Sequence, residues 1–221
     1  MFGSRLAVDH VVFDLDGTLV DSRADLAAAV NHMLHVLGLA PLTTDQVTRY
    51  VGEGARKLVE RALGAEDAHQ VDEALPLFRE FYRAHLLDRT RLYPGVAELL
   101  AILSESRLAL SVLSNKPVAM SRAILDGLQV SPVFRAILGG DSLTARKPDP
   151  AGVEYIRALT NTSRDRMLLV GDSMIDVRTA RAAGVAFCGV AWGFAPDDLR
   201  TAQVEPIIDH PGELLDLVAV G

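Results

Sequence analysis

The apolar positions of this chain follow two patterns. Short, almost continuously apolar runs, "HVVFDL" at 10 to 15, "LALSVLS" at 108 to 114, "FRAIL" at 134 to 138, "RMLLVG" at 166 to 171 and "VAFCGV" at 185 to 190, alternate with stretches of helical periodicity. That alternation predicts parallel strands joined by crossover helices. Because the runs do not alternate apolar with polar residues, the sheet is expected to be covered on both faces. A last short run, "PIID" at 206 to 209, predicts an edge strand.

The second pattern occupies one long region. From about Asp21 to Asp88 there is no strand signal, only amphipathic helical spacing in "ADLAAAVNHMLHVLGL", "TTDQVTRYVGEGARKLVERAL" and "DEALPLFREFYRAHLL", punctuated by Pro41, Gly52, Gly54 and Gly64. This predicts an all-helical insertion after the first strand. "YPGVAELLAIL" then restarts the core, with Pro94 suited to the first turn of a helix. The expected division is an α/β core of residues 1–19 and 91–221 and a helical domain of residues 20–90.

Composition narrows the function classes. A chain of 221 residues with 49% hydrophobic content can bury a substantial core. Its net charge of -7 argues against a general nucleic-acid binder, which needs a basic face, and favours a small-molecule partner. Cys188 is the only cysteine, so no intrachain disulfide forms and a reducing compartment fits. The N-terminus lacks the apolar core of a signal peptide. The longest weakly polar run, "GVAFCGVAWGFA", falls short of the ~18 residues that suggest a bilayer span. The chain therefore reads as cytoplasmic, away from membranes, and as a monomer or homodimer.

Polar residues gather where the predicted strands end. Asp14 and Asp16 close the first, Ser114, Asn115 and Lys116 the second, and Gly171, Asp172 and Ser173 the fourth; Lys147, in "TARKPDP", lies in the loop after the third. Ligands of open parallel sheets sit outside the carboxyl ends of the strands, so four distant segments are expected to converge there. Crowded carboxylates repel one another unless a cation or proton intervenes. Oxygen ligands without a His or Cys cluster point to magnesium. Lys147 supplies a fixed positive charge, and Ser114 with the amide of Asn115 supplies donors, which together suit a phosphoryl group. An aspartate can also serve as nucleophile and form an aspartyl-phosphate. The spacing of two turns both carboxylates of Asp14 and Asp16 to one side of the strand end, and Gly17 lets the chain turn.

"DLDGTLVDS", "LSNKP", "KPDP" and "GDSMIDV", in this order, resemble the four motifs of the haloacid dehalogenase superfamily. The resemblance implies a doubly wound, Rossmann-like parallel α/β core with an inserted all-helical cap domain. It also implies roles: Asp14 as nucleophile and magnesium ligand, and Asp16 as the acid that protonates the leaving group and then the base that activates water. The carbonyl of Asp16 adds a metal ligand, Ser114 binds phosphoryl oxygens, Lys147 neutralises charge in the transition state, Asp172 holds magnesium, and Asp176 supports the ligands from behind. Asp16 is the acid/base that phosphate-ester chemistry needs, which sets the chain apart from dehalogenases acting on carbon.

The finer pattern, with "YVGEGARKLVERAL", "YPGV" and "SNKP", is similar to phosphoglycolate phosphatases and implies 2-phosphoglycolate as substrate. The alternatives are a sugar phosphomutase of the β-phosphoglucomutase type, an inorganic pyrophosphatase, or a binding or regulatory protein that no longer turns over. In "GEGARK" at 52 to 57, Gly54 amides with Arg56 or Lys57 are candidates to contact an anionic substrate, against the plainer reading of a helix break with solvated basic residues. His32 and His35, spaced as metal ligands can be, read as ordinary helix residues, and Cys188 as a small core residue. "WGF" at 192 to 194 is expected either to line the mouth of the site or simply to pack.

Overall fold

The computed structural model describes residues 5–219. The strands are β1 (His10–Phe13), β2 (Val20–Asp21), β3 (Arg91–Leu92), β4 (Ala109–Leu113), β5 (Ala136–Leu138), β6 (Met167–Gly171), β7 (Ala186–Val190) and β8 (Ile207–Ile208). Six of them form one parallel sheet in the order β5-β4-β1-β6-β7-β8. All six expected strands are present, and "PIID" supplies the edge. The pairs β2 and β3, of two residues each, gave no signal in the sequence because two residues carry no periodicity.

The chain divides into two compact units, one running to Val20 and resuming at Leu92, the other Asp21–Arg91. In the first, the two faces of the sheet are equally dry. Val12, Leu113, Leu138, Met167 and Leu169 pack with Val153 and Ile156 of α7 (Ala151–Thr160) and with Ala180 and Ala183 of α8 (Met174–Ala183). On the opposite face Val11, Phe13, Val112, Leu168 and Val170 are all buried, and α5 (Val96–Glu105) contacts β4. Each such side chain contributes about 1.5–3 kcal/mol on burial, which is why these runs cannot afford the polar alternation of a half-exposed sheet. The remaining helices of this unit are α6 (Val118–Gly127), α9 (Pro196–Thr201) and α10 (Leu214–Leu217). Pro94 does not enter the first turn of α5: the helix starts at Val96 behind Gly95, whose left-handed conformation caps it.

The second unit is helical throughout, with α1 (Arg23–Val36), α2 (Thr44–Thr48), α3 (Ala55–Asp67) and α4 (Val71–Ala84). Leu26, Val30, Met33 and Leu34 form the buried stripe of α1, and Leu75, Phe78 and Tyr82 that of α4. A reciprocal capping box between Thr43 and Gln46 starts α2. Asp25, buried in the first turn of α1, closes the unit on itself. Its carboxylate accepts from the Thr90 backbone N–H at 2.8 Å, the Thr90 hydroxyl at 2.7 Å and the Arg89 N–H at 3.0 Å. His32 stacks on Phe81, and Phe81 on His85, each pair with centroids 4.2 Å apart, so His32 serves packing as an ordinary helix residue. Among the described residues no helix is long and apolar enough to cross a membrane.

Candidate active site

The strand order reverses at β1: the next core strand, β4, lies on one side of it and β6 on the other. The crevice at such a switch point is where open α/β sheets bind ligands. Three side chains step directly off the carboxyl ends of these neighbours: Ser114 one residue past β4, Asp14 one past β1, and Asp172 one past β6. Backbone bonds hold the exits in line, Asp14 N–H to the Val170 carbonyl at 2.9 Å and Ser114 N–H to the Leu138 carbonyl at 3.0 Å. After Asp16 the chain reverses tightly. Gly17 adopts φ +84°, a conformation that a residue with a Cβ rarely takes, and its N–H donates to the Val20 carbonyl at 2.9 Å.

Lys147 arrives from the loop after β5 and is almost wholly buried. Its Nζ lies 2.8 Å from Asp14 Oδ1 and 2.6 Å from Asp176 Oδ1. Asp176 sits in the first turn of α8, where its Oδ2 also accepts from the Ser173 hydroxyl at 2.6 Å, forming a capping box. Asp176 thus clamps Lys147 to the helix start. The Asn115 side-chain amide donates to the Lys147 carbonyl at 2.9 Å, so the segment after β4 also holds the lysine loop. Ser114 Oγ accepts from the Lys116 N–H at 3.2 Å and is buried.

Asp14, Asp172 and Asp176 present ligand oxygens within 4.8 Å of one another. Burial pushes the Asp14 carboxyl up to about 7; Lys147 opposes this and Asp176 adds to it. Asp172 is driven well above the carboxylate range, first by burial and then by the charges of Asp14 and Asp176, against the N–H of Phe194. Burial works against the charge of Lys147, but Asp14 and Asp176 prevail and hold its ammonium above the ordinary lysine value. These acids therefore resist full ionisation without a compensating cation. The donor set is all oxygen: Asp14, Asp172 and Asp176 are buried together, with Lys147 paired to Asp14 and Asp176 and Lys116 to the partly buried Asp16. That set fits a hard divalent cation such as magnesium, with Asp14 and Asp172 as the available carboxylates, since Asp176 already serves Lys147 and Ser173.

One part of the site had no assigned role in the sequence, and a second had only an undecided one. Lys116 Nζ lies 2.6 Å from Asp16 Oδ1, with both side chains largely buried, so a second lysine neutralises the second aspartate. The only signal was its place in "SNKP", beside Ser114 and Asn115. The other is the loop after β7: the Phe194 N–H donates to Asp172 Oδ2 at 2.6 Å. "WGF" therefore reaches the carboxylate cluster directly, beyond the packing alternative.

The helical-unit candidates are all engaged within that unit. Arg56 pairs with Asp72 at 2.8 Å and Glu60 at 3.4 Å, and Lys57 with Glu60 at 2.7 Å. Gly54, at φ 90°, caps α3 at its N-terminus, and Arg61 binds Glu53 and the Tyr50 carbonyl. Cys188 is buried in β7 and its thiol is pushed up to about 12, by burial first and by Glu213 second, so it is no nucleophile.

Comparison with known proteins is consistent with this geometry. Residues 11–190 match the family model described as haloacid dehalogenase-like hydrolase. The chain is 42% identical over 190 residues to a phosphoglycolate phosphatase of Pseudomonas putida, covering 83% of this chain and 70% of that one. It is 39% identical over 212 residues to a phosphoglycolate phosphatase of Cereibacter sphaeroides, covering 94% and 96%. The crystal structure of a predicted phosphoglycolate phosphatase from Haemophilus somnus 129PT superposes with a TM-score of 0.87 at 29% identity, over 96% of this chain and 98% of that one.

Proposed function

The chain belongs to the haloacid dehalogenase-like hydrolase family, and from that premise we propose that it is a magnesium-dependent phosphatase of small phosphate monoesters, with 2-phosphoglycolate as substrate. The observation that carries the chemistry is Lys147 bound at 2.8 Å to a buried Asp14 at the switch point of the sheet. A nucleophilic carboxylate must approach a phosphoryl group of its own charge, and a lysine already seated beside it offsets that repulsion. The relatives' activity supports the choice of ester.

An oxygen of Asp14 attacks phosphorus while the ester oxygen departs. Asp16 gives that oxygen its proton, and the phosphoryl group is left on Asp14 as an acyl phosphate. Asp16, now a carboxylate, takes a proton from water, whose oxygen attacks phosphorus. The bond to Asp14 breaks, releasing inorganic phosphate and restoring both aspartates. Ser114 and the Asn115 amide bind phosphoryl oxygens. Lys147 stays charged throughout because Asp176 anchors it from the other side. Magnesium, held by Asp14, Asp172 and the Asp16 carbonyl, supplies charge neutralisation of the phosphoryl oxygens when bound.

In this reading the helical unit is the cap, and Gly54, Arg56 or Lys57 reads the substrate carboxylate after exchanging Asp72 or Glu60 for it. The test is a panel of small phosphate esters with wild type and Asp14→Asn. Wild type should favour phosphoglycolate over sugar phosphates and pyrophosphate. Asp14→Asn, which keeps the shape without the charged nucleophile, should show no turnover while still folding. Retained turnover in that variant excludes the aspartyl-phosphate route, and preference for a sugar phosphate excludes the substrate alone.

A further inference from the structure

Asp172 is met by a loop to which no function has been attached. Trp192, Gly193 and Phe194 leave the end of β7 and make three separate fastenings. The Phe194 N–H donates to Asp172 Oδ2 at 2.6 Å. The Trp192 indole N–H donates to the Thr18 carbonyl at 3.1 Å, on the turn that follows Asp16 and Gly17. Gly193 lies between them with no room for a side chain: a Cβ there would stand 2.6 Å from the Gly17 carbonyl oxygen and 2.7 Å from Asp172 Oδ2. The fit is reciprocal, because a Cβ on Gly17 would stand 2.7 Å from Asp172 Cγ and 3.1 Å from the Phe194 ring. Loops from β1, β6 and β7 thus close around one carboxylate without a spare atom.

We infer that Trp192–Phe194 is a positioning element for the metal ligand Asp172, fixing its carboxylate against the turn at Gly17 and Thr18. Asp172 sits within reach of Asp14 and Asp176, all buried, and three like charges left to themselves turn apart. A backbone N–H is the fitting restraint. It holds one carboxylate oxygen, removes the rotation about Cβ–Cγ, and is itself held by a strand end and by the indole bond to Thr18. A glycine is required at the centre because only a bare backbone approaches this closely. Aligned carboxylates bind a divalent cation more tightly than ones that must first be turned together. The inference rests on Asp172 being a magnesium ligand.

The experiment is magnesium titration calorimetry on Gly193→Ala and Trp192→Phe, with Asp172→Asn and wild type alongside and metal-free melting curves for each. Gly193→Ala, which drives a methyl into the carboxylate, should weaken magnesium binding at least tenfold. Trp192→Phe keeps the bulk and loses only the bond to Thr18, and should weaken it about threefold. Turnover of both should recover as magnesium is raised, which a general packing defect would not produce. Wild-type affinity in a folded Gly193→Ala overturns the inference. If that variant does not fold, Trp192→Phe decides by the same criterion. Undiminished magnesium binding by Asp172→Asn would instead remove the premise, and the inference with it.

Discussion

Two sets of ion pairs in this protein have similar lengths and opposite consequences. At the sheet end, Lys147 lies 2.6 Å from Asp176, with side chains 2% and 0% exposed. On the helical unit, Arg56 lies 2.8 Å from Asp72, with side chains 46% and 82% exposed. The exposed pair is screened by water and salt and pays conformational entropy to form, so its removal changes little. The buried set has lost its hydration, and Asp14 and Asp172 are pushed upward by that loss and by one another despite the nearby lysine. Distance alone does not tell what an ion pair does. The buried cluster is weak evidence of stability; its charges persist because the proposed chemistry needs a carboxylate, a cation and a phosphoryl group in one dry place.

Lys147→Met tests the comparison most severely. It leaves Asp14 and Asp176 buried without their common partner, and should reduce turnover by roughly a thousandfold or more and stability by about 3–5 kcal/mol. Steady-state rates and denaturant melts read both. A variant as stable as wild type would mean that the two acids simply take up protons.

Lys116→Met separates the second buried pair from the first. If Lys116 acts through Asp16, loss of rate should be roughly tenfold or more greater on an alkyl phosphate than on p-nitrophenyl phosphate, whose leaving group departs without a proton. In an Asp16→Asn background that difference should vanish. Equal losses on both esters would place Lys116 with the phosphoryl-binding groups.

His10 offers a buried polar cluster built on hydroxyls. It bonds Ser111 Oγ at 2.9 Å and Thr160 Oγ1 at 3.1 Å, and burial, assisted by the charge of Arg135, lowers its imidazole to about 4. The folded protein therefore binds fewer protons here than the unfolded chain between pH 6.5 and 4. This contribution to stability is intact above pH 6.5 and is lost as pH falls toward 4, by at most about 3 kcal/mol. Urea melts across that range should differ in slope between wild type and His10→Gln by this contribution, because Asp14 and Asp172, raised by burial, act in the same window with the opposite sign in both proteins.

The smallest effect is expected on the helical unit. Arg56→Ala and Lys57→Ala should each shift the melting midpoint by less than about 2 °C. If one of them reads the substrate carboxylate, its kcat/KM for phosphoglycolate should drop relative to that for p-nitrophenyl phosphate. Parallel changes on both substrates would return these residues to the exposed salt bridges seen here.

Much of the fold was legible because its determinants are local. Short continuous apolar runs such as 167 to 171, too short for a buried helix, fit strands dry on both faces, and 3.6-residue spacing between 23 and 84 fits amphipathic helix. The strand-end aspartates, the serine and the loop lysine were legible for a related reason, since residues leaving the carboxyl ends of parallel strands must share one side of the sheet. Chain order alone was enough to gather them.

Which of those residues touch was decided by the tertiary structure. Lys116 meets Asp16 across 100 positions, Asn115 reaches the Lys147 carbonyl, and Phe194 donates to Asp172, because neighbouring strands in the sheet are distant in the chain. Gly193 looked like any loop glycine until the Gly17 carbonyl and the Asp172 carboxylate closed on it. Glu60 lies at helical spacing from Arg56 and Lys57, but Arg56 carried no mark that Asp72, 16 positions on, would engage it. Periodicity encodes which side of an element is dry and is written residue by residue. Partnership between polar side chains depends on where separate elements come to rest, which follows from how the whole core packs and is spelled out at no single position.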